Sequence, residues 1–413
     1  MNNEKDIGEL IYDWNTAGNA SSSGLKDIEF DDETLRDGLQ SPSVQNPTIE
    51  QKKELLHLME DLGIHTADVG LPGAGPRARK DVLALVQEIA DTEMNITPNC
   101  AARTLLADVT PVVEISQKVG IPIELCTFIG SSPIRVYAEE WTLEKMVNRT
   151  VEAVSFAVKE GLPVMFVTED TIRANPETLK TLFDAAIDSG AIRLCLCDTC
   201  GHATPQGVKN LVNWTKKYLK SKEVDLKLDW HGHRDRGLAL SNALAAIESG
   251  VDRVHGTAMG IGERVGNLPM DTLLVNLRLL GLIDNDLTKL PEYVQKTSEY
   301  TGIPLSPNYP VIGEDAFRTG TGVHAAAVIK AELKGDDWLA DRIYSGVPAG
   351  MVGRHQIIDI GPMSGKSNVI YWLTNNSIES SDELVDELFR VAKESDKILT
   401  EEEILAVVER VSN

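Results

Sequence analysis

From residue 27 onward the chain keeps one rhythm: short apolar, β-prone runs alternate with amphipathic helical stretches. The runs are Asp27–Thr34, His65–Gly70, Met94–Ala101, Ile121–Ile129, Pro163–Thr168, Ile192–Thr199, Leu226–His233 and Arg253–Ala258. Between them lie helical patterns such as Glu50–Leu62, Arg77–Ala90, Leu143–Glu160, Pro176–Ser189 and Leu238–Ser249. Eight strands, most followed by a helix, predict an α/β fold of the (β/α)8, or TIM-barrel, class, because a doubly wound sheet usually stops short of eight.

Such barrels carry their chemistry at the C-terminal ends of the strands. Polar residues gather at those ends: Glu33 to Gln40, Asp68, Arg103, Ser131 and Ser132, Glu169 and Asp170, Asp198 to Gly201, His231 to Asp235, and Gly260 to Asn267. The opposite connections, such as Lys118-Val119-Gly120 and Ser249-Gly250-Val251, are short and plain. Scattered surface polarity would not give this asymmetry, so it marks one face as the active face.

Residues 1–25 read as a polar extension with a linker-like Asn19-Ala20-Ser21-Ser22-Ser23-Gly24, and residues 26–285 as the barrel. The rhythm then stops. Residues 286–335 read as a first helical linker subdomain, broken by Ile303-Pro304-Leu305-Ser306-Pro307-Asn308-Tyr309-Pro310. Residues 336–413 read as a second one, with a β-prone stretch at Asn368–Leu373 and two charged helices near the end. The expectation is therefore a barrel with a small, mainly helical C-terminal appendage.

A net charge of −23 argues against a nucleic-acid partner and against anionic membrane surfaces, which need clustered Lys and Arg. No apolar run approaches the roughly 18 residues of a membrane span, and the N-terminus lacks a signal-peptide pattern. Five cysteines in 413 residues are no disulfide scaffold, so a reduced cytoplasm is the expected compartment.

At the end of the seventh run stands His231-Gly232-His233. Alternation points two histidines at i and i+2 to one side of a strand, an arrangement suited to a divalent ion. Taken alone, the pair is better read as one buried, hydrogen-bonded histidine beside one exposed one; its neighbours change that reading. Asp37, at the top of the first strand, can add an anionic oxygen, and Asn267, after the eighth, a neutral carbonyl oxygen. Alternatively, Asp37 forms a turn with Gly38 and Asn267 caps a helix before Pro269. The mixed nitrogen and oxygen set tolerates Mg²⁺, Mn²⁺, Fe²⁺, Co²⁺ or Zn²⁺ and leaves open positions for water or substrate. Arg36 can hold a carboxylate or stabilise an oxyanion, though taken alone it is better read as a surface ion pair. Glu169 and Asp170 form a carboxylate pair that alternation sends opposite ways, so one can face the cavity as acid, base or orienting group and the other a partner such as Arg173; two solvated loop carboxylates fit equally. Cys195 and Cys197 lie within a strand and read as small apolar fillers rather than ligands. The glycine-rich Gly260 to Gly266 misses the spacing of a dinucleotide loop.

Thr34-Leu35-Arg36-Asp37-Gly38 with Gln40, His231-Gly232-His233 and Gly260 to Asn267 together resemble the acyl-CoA-dependent aldol/Claisen TIM-barrel family. That family includes the 2-isopropylmalate, homocitrate and citramalate synthases and 3-hydroxy-3-methylglutaryl-CoA lyase. The resemblance continues through Asp198 to Pro205 and Gly237 to Asn242, and covers about residues 27–373. Gly322-Val323-His324, Tyr344, Val352-Gly353-Arg354 and Ser364 to Asn368 resemble the appendage of the synthases, most closely the 2-isopropylmalate synthases.

The resemblance implies that Asp37, His231 and His233 bind a divalent metal (Mg²⁺, Mn²⁺ or Zn²⁺), with Asn267 in or near its shell. It also implies acetyl-CoA as co-substrate and a 2-oxo acid as acceptor. Arg36 would stabilise the alkoxide, Glu169 and His324 are the base candidates, Thr199 would touch the substrate carboxylate, and Tyr344 would add a contact from the appendage. Dimerisation in this family can carry appendage residues over the partner's barrel, so the resemblance implies a homodimer in which His324 can act in trans. Three positions depart from the family pattern: Cys126 where histidine is common, Val167 where serine is common, and Arg234 after the histidine pair. Cys126 and Val167 make the pocket less polar, which favours a branched apolar acid such as 2-oxoisovalerate; repacking beneath the site would explain them equally. A chain ending at Asn413 leaves no room for a separate regulatory domain, so the expectation is an enzyme without leucine feedback through one.

Overall fold

The computed structural model describes residues 10–15 and 28–412. Apart from residues 10–15, the polar extension at 1–25 lies outside the described residues. Eight parallel strands close into a barrel: β1 (Glu29–Asp32), β2 (Thr66–Asp68), β3 (Thr97–Arg103), β4 (Glu124–Gly130), β5 (Val164–Glu169), β6 (Arg193–Asp198), β7 (Lys227–Gly232) and β8 (Arg253–Gly256). The pairing Glu29↔Arg253 through Asp32↔Gly256 joins first strand to last. All eight expected runs carry a strand. The helices Leu106–Val119 and Pro205–Ser221 complete the outer ring, the former running through Pro111.

Alternation on β1 turns Phe30 into the apolar layer beneath the helices and leaves Glu29, Asp31 and Glu33 on the inner side. The barrel floor is consequently ionic. Arg253 donates to Asp229 (2.7 Å) and Glu124 (2.6 Å), and Arg193 to Asp229 (2.6 Å) and Glu29 (2.7 Å). Burial alone would raise the Asp229 pKa, but Arg253, His255 and Arg193 outweigh it and hold the group ionised. A buried charge is tolerable only when paired in this way.

The apolar core runs past residue 285. Leu290, Tyr293 and Val294, on the helix Leu290–Thr301, belong to the same buried cluster as the barrel. The Tyr293 hydroxyl donates to the Asp32 carboxylate, tying that helix to β1.

Further on, the helices Lys366–Asn375, Asp382–Glu394 and Glu401–Ser412 share a separate core around Val369, Leu373, Leu384 and Leu388. The β-prone stretch Asn368–Leu373 is therefore helical, contrary to its composition. Gly365 opens that helix, the Asn368 side chain accepts from the Gly365 N–H (3.1 Å), and Val369 and Leu373, four apart, bury on one face. The packing of an apolar stripe overrides β propensity. The two charged helices expected near the end are the last two of these.

Candidate active site and metal centre

At the C-terminal mouth of the barrel lies a cavity of about 280 Å³. Arg36, Asp37, Cys126, Val167, Glu169, Thr199, His231 and His233 all line it, together with Glu33, Asp68, His255 and Arg264. Residues spread over two hundred positions of sequence thus meet because each stands on the inner face of a strand or just beyond its C-terminal end.

The histidine pair is oriented from behind. His231 Nδ1 lies 3.2 Å from Glu33 Oε1, and His233 Nδ1 lies 3.2 Å from the carbonyl oxygen of Gly266. Both neighbours accept hydrogen bonds, so the Nδ1 atoms carry the protons and the Nε2 lone pairs face inward. The two Nε2 atoms converge to 3.2 Å, with Asp37 Oδ2 3.5 Å from His233 and 3.7 Å from His231. Burial, then the neighbouring His231, push the His233 pKa down to about 4, which keeps this imidazole neutral as a ligand must be. Three electron-rich atoms this close repel one another unless a cation lies among them.

The donor set therefore fits a divalent ion, and Asn267 supports the fit. Its buried Oδ1 has no hydrogen-bond partner, while its Nδ2 donates to the Ile261 carbonyl (3.2 Å). Asn267 caps no helix, because the following helix begins at Met270 behind Pro269. Asp37 begins a short 3-10 turn, Gly38–Gln40, but its carboxylate caps nothing and remains turned to the cavity.

A second cluster, Glu33, His231 and His255, is as compact. It cannot hold an ion, because both His255 nitrogens are committed to carboxylates: Nδ1 to Glu33 (2.7 Å) and Nε2 to Asp229 (2.9 Å). Burial would strip this ring of its proton, but the surrounding acids hold its pKa well above the usual histidine range. His255 is a buried cation. The sequence signal for it was the period-2 spacing from Arg253 along β8, which places both on the inner face.

Arg36 is fixed by two carboxylates, Nε to Asp68 (2.7 Å) and Nη2 to Glu33 (2.5 Å). Nη1 makes only a 3.7 Å approach to Asp37 and stays available to an oxygen in the cavity. Burial, with Glu33 and Asp31 nearby, pushes the Asp68 pKa up to about 7 despite Arg36. Glu169 and Asp170 divide as alternation requires. Glu169 lines the cavity, its pKa raised by burial against the pull of Arg135 at 3.5 Å. Asp170, buried, is gripped by Arg173 (2.7 Å). Thr199 Oγ1 accepts from the Asp170 N–H (2.8 Å) and so ties β6 to β5 at the rim.

Cys126, Met165, Val167, Cys195 and Cys197 form one apolar wall of the cavity, so the cysteines of β6 are fillers here. Arg234 staples the glycine-rich loop, donating from Nε to the Val265 carbonyl (2.7 Å) and from Nη1 to that of Met259 (3.2 Å). In return Arg264 donates to Asp235 (2.7 Å) and to the Thr199 carbonyl (2.6 Å).

His324 and Tyr344 come together but not at this cavity. Their rings stack with centroids 4.2 Å apart in the appendage, exposed, and neither lines the barrel mouth.

The sequence model of one family, HMGL-like, matches residues 27–296. The chain belongs to the HMGL-like family. Its relatives are enzymes named as synthases. The homocitrate synthase AksA of Methanopyrus kandleri is 33% identical over 88% of this chain and 86% of its own length. A probable 2-isopropylmalate synthase of the same organism is 31% identical over 89% of this chain and 69% of its own. Among solved structures, the HMG-CoA lyase of Bacillus subtilis superposes with a TM-score of 0.56 at 21% identity, over 68% of this chain and 95% of that one. That likeness carries the barrel alone. Among the described residues no helix is long and apolar enough to cross a membrane.

Proposed function

We propose that this HMGL-like enzyme is an acyltransferase that condenses acetyl-CoA with 2-oxoisovalerate and water, giving 2-isopropylmalate and CoA. The observation that carries the choice of acceptor is the wall of Cys126, Met165, Val167, Cys195 and Cys197, which offers a branched alkyl group an apolar surface and no charge. The homocitrate synthase among the relatives brings a dicarboxylate acceptor into consideration. Such an acceptor needs a cation for its far carboxylate, and Arg264, on the cavity rim, is already engaged by Asp235 and Thr199.

Asp37, His231 and His233, with the unpartnered oxygen of Asn267, would hold a divalent ion. When bound, that ion supplies Lewis-acid polarisation of a keto carbonyl. The chain's own groups do the rest. Glu169, made more basic by burial, takes a proton from the acetyl methyl group, and the resulting carbon nucleophile attacks the keto carbon. Arg36 Nη1 donates to the oxygen that becomes negative. Thr199 faces the acceptor carboxylate. Water then cleaves the thioester, releasing CoA as the thiol.

The test is CoA release from acetyl-CoA against 2-oxoisovalerate, pyruvate, 2-oxoglutarate and oxaloacetate, with and without chelator. The expected result is the highest kcat/KM for 2-oxoisovalerate and loss of turnover on chelation. Preference for another acid would overturn the acceptor; no release with any acid would overturn the condensation.

A further inference from the structure

Met259 breaks a local rule. It lies buried in the loop between β8 and the helix Met270–Leu279, with φ at 57°, in the left-handed region that residues bearing a side chain seldom adopt. Such a conformation persists only where its surroundings enforce it. Here both backbone groups of Met259 are held. The Asp271 carboxylate accepts from its N–H (2.8 Å), and Arg234 Nη1 donates to its carbonyl (3.2 Å). Asp271 is itself held from beyond the barrel, its other oxygen accepting from the Tyr309 hydroxyl (2.9 Å).

We propose that Arg234, Asp271 and Tyr309 are positioning residues of the metal centre, fastening the loop from Met259 to Asn267 in the conformation that presents its oxygens to the site. The inference rests on the reading of Asp37, His231, His233 and Asn267 as that centre.

Two oxygens come from this loop. The Gly266 carbonyl accepts from His233 Nδ1 (3.2 Å) and from the Arg234 N–H (3.0 Å), and Asn267 brings the buried Oδ1 that has no partner. The loop closes on itself, because the Asn267 N–H donates to the Gly260 carbonyl (3.0 Å). Across that closure lies the Arg234 guanidinium, whose Nε donates to the Val265 carbonyl (2.7 Å). Its seat is made of glycine: a Cβ at Gly260 would stand 3.0 Å from Nη1, and one at Gly266 3.1 Å from Nε. One side chain thus ties the start of the loop to its end, behind His233. A guanidinium serves the two carbonyls from separate nitrogens, which the single ammonium nitrogen of lysine does not reproduce. Arg234 is also one of the three positions at which the chain departs from the family pattern.

Tyr309 follows the helix Leu290–Thr301 and lines no part of the cavity. The hold on Met259 therefore comes from the linker as well as from the end of β7. Groups behind the ligands decide how well a site is arranged before the ion arrives, and losing one costs about 10- to 100-fold in metal affinity.

The experiment titrates metal-free protein with Co²⁺, followed by visible absorption and by competition with a chelator, beside thermal unfolding of the same metal-free forms. The proteins are the wild type, Arg234→Gln, Arg234→Lys and Tyr309→Phe. Arg234→Gln should weaken Co²⁺ binding about 10- to 100-fold and alter the ligand-field bands, because the Asn267 oxygen and the His233 ring lose their fixed places. Arg234→Lys should recover part of that loss. Tyr309→Phe removes one hydroxyl from a half-buried linker residue and keeps the test open if Arg234→Gln folds poorly. It should weaken binding about two- to ten-fold, the scale of one hydrogen bond.

A role in folding alone would lower the unfolding temperature and leave Co²⁺ affinity and spectrum unchanged in the folded variants, which would overturn the positioning role and leave the metal centre standing. Weaker binding in Arg234→Gln with none in Tyr309→Phe would overturn the linker's share. A wild type that binds no Co²⁺ defeats the metal centre and this inference together. Tight, Arg234-dependent Co²⁺ binding without CoA release from any 2-oxo acid defeats the reaction and leaves the positioning residues standing.

Discussion

At the cavity mouth, proton placement on single residues decides what can bind. His231 and His233 turn their Nε2 atoms inward because Glu33 and the Gly266 carbonyl accept hydrogen bonds from their Nδ1–H groups. The His-x-His pair, Asp37 and Asn267 were legible in the sequence, since strand alternation and barrel closure are simple geometry. Glu33 and Asp68 were legible as strand-end residues but not as supports, and His255 was missed, because ordinary barrel interiors are apolar. Their period-2 spacing from Asp31, Thr66 and Arg253 was the available signal. Two predictions belong here. Asp37→Ala should lower the divalent metal content of purified protein to background by elemental analysis, because two imidazoles make a weak site without the anionic oxygen. Unchanged metal content would remove Asp37 from the ligand set. Glu169→Gln should lower kcat about 10²- to 10⁴-fold, the usual scale for a lost general base, with little change in the KM of the 2-oxo acid. A variant with near wild-type kcat would pass the base role to another group.

Strands and helices were read from periodicity and all eight strands stand where it put them, because buried parallel strands and amphipathic helices carry strong periods. Asn368–Leu373 failed for a tertiary reason: β-branched content says strand, but Val369 and Leu373 supply a helical stripe to a local core. Nor does sequence show which helix docks on which strand. The contact of Tyr293 with Asp32 is of that kind, and it has a measurable consequence. Burial pushes the Asp32 pKa up to about 6, against the hydrogen bonds from Thr34 and Tyr293. A carboxyl group whose folded pKa is raised favours the folded state in its protonated form. That contribution is complete below the unfolded value near 4 and is lost as pH rises through about 6. Asp32→Asn mimics the protonated acid, so it should flatten the pH dependence of unfolding free energy between about 4 and 6. At pH 7 it should add about 1–3 kcal/mol, from roughly two units at 1.4 kcal/mol each. Denaturant titrations at several pH values check this; an equally steep pH dependence in the variant would show that Asp32 ionises freely.

For the whole molecule, the proposed site residues lie in two places. The cavity holds the proposed metal ligands, the proposed base and the apolar wall, whereas His324 and Tyr344 stack in the appendage and line no part of it. One way to join both in one reaction is for another copy to bring its appendage over this barrel mouth. A two-fold dimer does so twice, once for each cavity. We therefore expect complementation between two inactive variants. Asp37→Ala spoils the barrel half of a site and His324→Ala the appendage half. If the halves come from different protomers, a mixed dimer contains one site with both lesions and one with neither. Half the dimers in an equal, freely exchanged mixture are mixed, so about a quarter of wild-type activity should return. If His324 serves its own barrel, every site in the mixture carries a lesion and nothing returns. Mass measurement of the mixture must show mixed dimers for the comparison to hold. Silence from a mixture that contains them places both residues outside the reaction in trans, and the exposed His324–Tyr344 stack then belongs to the protomer alone.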